Sequence, residues 1–317
     1  MNRYVNILIY RGLLLGFIIL VGFLFAPTKP DAMPIISYME PAERMTIFLI
    51  DERGLVVQTS MMIENREKDV EKRAEIVVES LIIGGKHENK IPSGFKPIIP
   101  NDTEVISTKY QDGIVKVNFS KDVLEVKKEY EEKMIEAIIY SLTSIPEVKG
   151  VIIYIEGELL TKLPSGTKEL PTFLTRDYGI NKVYELTSRA NIQRINLYYV
   201  TKVNNEKHFV PVTKYINSTD SKINIIIREL TISAPLKMLN LVKGDVELID
   251  YEMDENVLSL VFNDAILVKN KISPVFKESI NLSIADSFEL SKINYVINDK
   301  TIASKVFEEN TGKYLVK

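Results

Sequence analysis
The chain has 317 residues, with 40 Lys and Arg against 43 Asp and Glu and a net charge of -3. That balance lacks the basic excess of a nucleic-acid binder, so no nucleic-acid partner is expected. The sequence contains no Cys, which excludes disulfides, thiolate metal sites, cysteine nucleophiles and Cys-linked lipids, and its two histidines, His87 and His208, are too few for a multi-His metal centre. At about 150 residues per domain the length implies two domains.

The N-terminus carries the first organised signal. Residues 12–26 read GLLLGFIILVGFLFA without a charge, after Arg3 and Arg11. Positive charge ahead of an apolar run leaves the N-terminus in the cytoplasm and the rest of the chain outside. A span needs about 20 residues, which an extension back to Ile7 supplies, with Arg11 snorkelling to the headgroups. The alternative is a cleaved signal peptide, whose apolar core is typically about 7–15 residues. Leu24-Phe25-Ala26 followed by Pro27 is a poor cleavage context, which favours an uncleaved anchor. Pro27, Pro30, Pro34 and Pro41 then mark a short spacer.

The remainder repeats itself. Residues 104–124 align without a gap to residues 247–267, at an offset of 143, with Glu104/Glu247, Ile106/Ile249, Phe119/Phe262 and Leu124/Leu267 identical. The next segment aligns at 142, pairing Glu136/Glu278, Ile138/Ile280 and Ser141/Ser283, and the last strand returns to 143, matching 151–156 with 294–299. Upstream, 46–50 matches 196–200 at an offset of 150.

Within the first unit, strand patterns flank Glu52-Arg53-Gly54, a hairpin signal. Val70, Ala74, Val77, Val78 and Leu81 fall at helical spacing, with Gly84 as a C-cap candidate. Two strands then flank Asp112-Gly113, a tight-turn dipeptide. A second helix spans about Glu129 to Ile145, and the strand GVIIYIE closes the unit. The order β-β-α-β-β-α-β predicts an α+β module with helices on one face of a sheet, present in two tandem copies after the N-terminal membrane helix. The hairpin at Asp112-Gly113 is expected to superpose on the one at Glu255-Asn256.

No catalytic, cofactor-binding or metal-binding residue is assigned. His87 and His208 occupy non-matching positions in the two units and read as ordinary surface histidines. Gly84-Gly85-Lys86 and Ser165-Gly166-Thr167-Lys168 lack the spacing of a phosphate-binding loop. Glu129, Glu131 and Glu132 sit at a helix start, where the macrodipole favours carboxylates. Asp250, Glu252, Asp254 and Glu255 lack the EF-hand order and read as a hairpin turn. The helix faces Asn65–Glu79 and Glu125–Glu136 are densely charged and are the candidate interaction surfaces.

Several segments resemble the GerM domain family of sporulation and spore germination proteins: Val115-Lys116-Val117-Asn118-Phe119-Ser120, the helix end Ile138 to Thr143, the strand from Val148 to Glu156 ending in Gly157, and Leu81-Ile82-Ile83-Gly84-Gly85. The connector Phe173-Leu174-Thr175-Arg176-Asp177-Tyr178-Gly179-Ile180-Asn181 resembles a P-L-T-R-x-x-G-I-N stretch between tandem domains of that family. The second unit departs from the pattern, with Val261-Phe262-Asn263 where V-N-F-S is expected and a shorter loop after its first helix. The resulting organisation is a cytoplasmic N-terminus (1–11), anchor or signal (12–26), spacer (27–44), GerM-like domain 1 (45–157), connector (158–194), GerM-like domain 2 (195–302) and tail (303–317). The resemblance implies a ring-building-motif-like fold. It also implies a non-enzymatic, membrane-anchored, extracytoplasmic scaffold without a cofactor, working with protein partners in a sporulation envelope complex such as a mother cell–forespore channel. The alternative is a module that binds cortex peptidoglycan. The poor cleavage context predicts that Gly12–Ala26 stays in the mature protein: carbonate-resistant membrane association with an intact N-terminus by mass spectrometry is expected, and a mature chain starting near residue 27 or 33 would exclude it.

Overall fold
The structure, a computed structural model, describes residues 43–63 and 67–307. The apolar segment 12–26 expected to be an anchor lies outside the described residues, as do Glu64, Asn65 and Arg66 and the tail from residue 308. Among the described residues no helix is long and apolar enough to cross a membrane.

Strands β1 (Glu43–Asp51) and β2 (Val56–Ile63) form an antiparallel hairpin. Helix α1 (Val70–Ser80) begins at Asp69, whose carboxylate accepts the N–H groups of Glu71 and Lys72. It ends at Ser80, short of the expected Gly84. The loop that follows adds the short β3 (Phe95–Lys96) to β1. Strands β4 (Val105–Gln111) and β5 (Ile114–Phe119) form a hairpin at Asp112-Gly113, both with positive φ. Helix α2 (Glu131–Leu142) then crosses to β6 (Gly150–Ile155), parallel to β5, and β7 (Glu158–Leu159) turns back along it.

The second half follows the same order. A connector strand, β8 (Val183–Glu185), lies beside the hairpin of β9 (Ile192–Val203) and β10 (Glu206–Asn217). Asn204 and Asn205 both take positive φ, as a two-residue primed turn requires. Helix α3 (Lys222–Thr231), β11 (Leu248–Asp254), β12 (Val257–Phe262), the small pair β13 (Leu267–Val268) and β14 (Lys271–Ile272), helix α4 (Pro274–Ala285), β15 (Lys292–Ile297) and β16 (Lys300–Val306) complete it. The sheets β4-β5-β6-β7 and β11-β12-β15-β16 have matching order and direction: antiparallel, parallel, antiparallel.

One expectation changes. The opening hairpin of each half does not join the four-stranded sheet but forms a sheet of its own. Helix α2 shows why: Met134 through Leu142 are all buried, so a layer must cover it on both sides. It packs on β1 and β2 as well as on β6.

The repeat holds down to single hydrogen bonds. Ser141 Oγ on α2 accepts the Phe48 N–H of β1 at 2.9 Å, and Ser283 Oγ on α4 accepts the Tyr198 N–H of β9 at 2.8 Å. Both sheets shift register at equivalent places, between Val105 and Ser107 and between Leu248 and Asp250. Asn263, where the second half departs from the Ser120 pattern, does the same work as that serine. Ser120 Oγ accepts the Glu104 N–H at 3.0 Å and Asn263 Oδ1 accepts the Glu247 N–H at 3.2 Å.

The closing strand needs a correction. Val115 lies beside Val151 and Leu258 beside Ile293, so β15 keeps the offset of 142 and does not return to 143. A slip of one residue would exchange the two faces of the strand; the buried Val151 and Ile153 correspond to the buried Ile293 and Tyr295. The two serines provide a test of equivalence. Ser141→Ala and Ser283→Ala should each cost about 1–3 kcal/mol in urea unfolding, because each leaves a buried main-chain N–H without its acceptor. A loss confined to one variant would show that the two helices do not play equivalent parts.

Candidate functional site
The most elaborate polar geometry lies where the two halves meet, and the connector builds it. Thr175 starts a short 3-10 turn, Arg176–Tyr178, by accepting the Asp177 N–H with its side chain. The turn ends at Gly179, with φ of 81°. A Cβ there would come within 3.1 Å of the Thr213 hydroxyl, so both the conformation and the space call for glycine. This turn aims Arg176 into the protein, where its side chain is only 9% exposed.

Arg176 spans both halves. From the first it meets the C-terminal end of α2: Nε donates to Thr143 Oγ1 at 2.9 Å, and Nη2 donates to the Tyr140 carbonyl at 3.3 Å and to Ser144 Oγ at 3.1 Å. A cation near the last carbonyls of a helix is favourable. Its guanidinium carbon also lies 4.6 Å from the Tyr140 ring centroid. From the second half, Tyr198 Oη accepts from Nη1 at 3.3 Å, and Asp286 Oδ1 stands 3.9 Å from Nη1. Asp286, 2% exposed at its side chain, is held from the other side by the Asn196 amide.

Asn181 forms the second link. Its side-chain amide treats Val56 of β2 as a strand neighbour would, accepting the N–H at 3.0 Å and donating to the carbonyl at 2.7 Å. It also donates to the Pro211 carbonyl of β10 at 2.9 Å. One residue thus joins two hairpins that lie side by side in separate sheets. The Asn181 N–H donates to Glu136 of α2 at 3.0 Å, and Glu136 pairs with Lys182 at 2.7 Å. Burial pushes the Glu136 carboxyl upward despite that pair. Burial opposes the Lys182 charge, but Glu136 and Glu132 more than offset it and hold its pKa above the usual range.

Other sequence candidates take structural places. Ser165 N–H and Oγ donate to Glu131 at 2.9 and 2.8 Å, and Lys168 pairs with Glu132 at 2.8 Å, so the loop that superficially resembles a phosphate site is closed on the chain's own carboxylates. Within Glu125–Glu136, Glu131 and Glu136 are buried while Glu125, Lys127, Lys128 and Glu129 are exposed, as are Lys68 just before α1 and Lys72 on it. Neither histidine is an ordinary surface residue. His87 Nε2 lies 3.1 Å from Glu79, with its side chain 14% exposed. His208 of β10 packs edge-on against Phe95 of the other half, ring centroids 4.8 Å apart, and burial lowers its pKa. Asp250, Glu252 and Asp254 lie in β11 itself, and only Glu255 is in the turn. No group of three or more potential metal-ligating side chains occurs among the described residues. The buried role of Glu136 had one signal in the sequence: it interrupts the apolar run Met134-Ile135 and Ala137-Ile138-Ile139.

Comparison with known proteins agrees with the fold. Residues 46–177 match a family model described as "Germane: Sporulation and spore germination". Over 269 residues the chain is 28% identical to the spore germination protein GerM of Bacillus subtilis (strain 168), covering 80% of this chain and 71% of that protein. The solved tandem GerMN domains of the sporulation protein GerM from Bacillus subtilis share the fold with a TM-score of 0.75 at 26% identity, covering 82% of this chain and 92% of that one.

The buried charges at the junction lead to a specific expectation. Arg176→Ala should cost about 3–5 kcal/mol, because it strands a buried carboxylate. Adding Asp286→Asn should recover part of the loss. A double-mutant cycle by chemical unfolding checks this, and strictly additive losses would show that the two charges are not coupled.

Proposed function
We propose, from the premise that this chain belongs to the GerM domain family and carries two tandem GerM domains, that it is a non-enzymatic scaffold of sporulation and spore germination. In this reading the apolar N-terminal segment holds it at a membrane, and both domains, 45–157 and 195–302, act outside the cytoplasm as part of an envelope assembly such as a mother cell–forespore channel. The observation that carries the reading is the junction. Arg176, Asn181 and Lys182 of the connector, with Glu136 of α2, fix two modules in one relative orientation. A scaffold needs that rigidity, because a surface split over two modules presents one shape only when neither can turn. The same contacts hold the Lys182 pKa up, whereas the Glu136 carboxyl is raised by its burial against them.

Peptidoglycan binding is the second reading, and one feature favours it. Tyr184 and Tyr215 stack at 4.8 Å with an interplanar angle of 10°, and Tyr184 is 61% exposed. An exposed ring of this kind, backed by the half-buried Tyr215, offers an apolar face to a sugar ring together with a polar rim.

Capture of the chain from sporulating membranes separates the two. Recovery of channel proteins is the outcome expected of the scaffold, and recovery of glycan strands that Tyr184→Ala abolishes is the outcome expected of the wall-binding module. If neither is recovered and complementation of a deletion strain restores no sporulation or germination defect, the scaffold reading fails.

A further inference from the structure
The two repeats treat the edges of their four-stranded sheets differently. In the first, α1 closes the β4 edge: Glu71 accepts the Tyr110 N–H at 3.1 Å and pairs with Lys109 at 3.0 Å. The opposite edge of β6 is covered by β7 and by the connector, where Val151 and Leu174 exchange main-chain hydrogen bonds of 2.8 and 2.9 Å.

In the second repeat, α3 lies less closely against β11 than α1 does against β4. A groove of about 460 Å³ separates them, lined by Asn224, Ile227 and Thr231 of α3 and by Leu248, Ile249 and Tyr251 of β11. Strand β11 is the outermost strand of its sheet, and Ile249 and Met253 on it are 65% and 38% exposed. Strand β16 is the other outermost strand, with Ile302 and Val306 42% and 66% exposed.

The charges of these two edges are opposite. Residues 245–255 carry Asp245, Glu247, Asp250, Glu252, Asp254 and Glu255 and no Lys or Arg. Among the described residues none of these six carboxylates enters an ion pair. Strand β16 carries Lys300 and Lys305 and no carboxylate; Lys305 lies 3.7 Å from Glu278 of α4, and Lys292 stands beside the strand on β15. A bare strand edge recruits another strand through its unpaired main-chain groups, and like charges placed opposite each other block pairing with a copy of the same edge.

We propose that the β11 edge of one copy of this chain pairs with the β16 edge of a second copy. Pairing of β11 with β11 would set two carboxylate rows against each other, whereas β11 with β16 sets carboxylates against lysines. The contact is heterologous, so successive copies close into a ring or run on as a filament, according to the rotation each contact imposes. This deepens the scaffold reading by naming a partner, a second copy, and rests on that reading for its biological use. The contact itself is a property of the purified chain.

The absence of Cys makes the test direct, since every introduced thiol is unique. Full-length Met253→Cys and Ile302→Cys variants, each shown to melt as the parent does, are mixed at tens of micromolar with a short bismaleimide crosslinker. The expected result is a 253–302 dimer in the mixture and little dimer in either variant alone. Glu252→Lys with Asp254→Lys on the Met253→Cys chain should reduce the adduct about tenfold, and Lys300→Glu on its partner should restore part of it. No adduct in the mixture, or adducts that form equally well within a single variant, would overturn the proposal. Complementation of a deletion strain is a separate readout, so loss of the edge contact in purified protein is distinguishable from loss of the sporulation role.

Discussion
One buried cation organises the junction of the two modules. Arg176 comes from the connector, donates to the end of α2 in the first half, and reaches Tyr198 and Asp286 in the second. A guanidinium out of water is unfavourable unless its donors are met and a counter-charge is near. The first half supplies hydroxyl and carbonyl acceptors, and the second supplies a phenol and a carboxylate. Neither half alone offers the full set. The favourable state of the guanidinium therefore exists only when the modules are together at one angle, and this couples the burial of a charge to the relative placement of two domains.

Around that point the connector acts as structure in its own right. Gly179 permits a backbone direction that brings Ile180 and Asn181 between the two hairpins. Asn181 then supplies to Val56 and Pro211 the hydrogen bonds that a neighbouring strand would give, although β2 and β10 belong to different sheets. A side-chain amide can do this because it carries the same donor and acceptor as a peptide group. The two hairpins approach closely without forming a continuous sheet, and the main-chain groups of Val56 stay satisfied.

The repeats share their interiors and differ at their rims. The serine bonds from α2 and α4, the matched register shifts and the Ser120 and Asn263 contacts serve the same internal geometry in both halves. Equivalent positions diverge where their surroundings do. Glu136 faces the connector and pairs with Lys182, while its counterpart Glu278 reaches Lys305 of β16. In the first half α1 closes the sheet edge, whereas in the second a groove separates helix and edge. Among the described residues, duplication thus yields a common core with two unlike outer surfaces, only one of which leaves its sheet edges exposed.

Local chemistry in the chain determined the elements and their repetition. Apolar residues at helical spacing marked α1 and α2, Asp112-Gly113 marked a hairpin, and the gapless match of 104–124 to 247–267 identified the duplication, because backbone preferences and the periodicity of burial are written in neighbouring residues. The offset of the last strand was decided by the fold, since apolar residues match at both 142 and 143 and only pairing with β5 and β12 selects the buried face. The separate opening sheet of each half was likewise decided by a helix that needs cover on two sides. Glu131 and Glu136 read as charge on a surface, because nothing within a few residues reveals that Ser165 and Lys182 meet them. The connector stretch around Arg176 stood out in the sequence, but its purpose is carried by Thr143, Tyr198 and Asp286, which only the folded chain brings within reach, and the worth of a buried charge is set by such distant partners rather than by its neighbours in sequence.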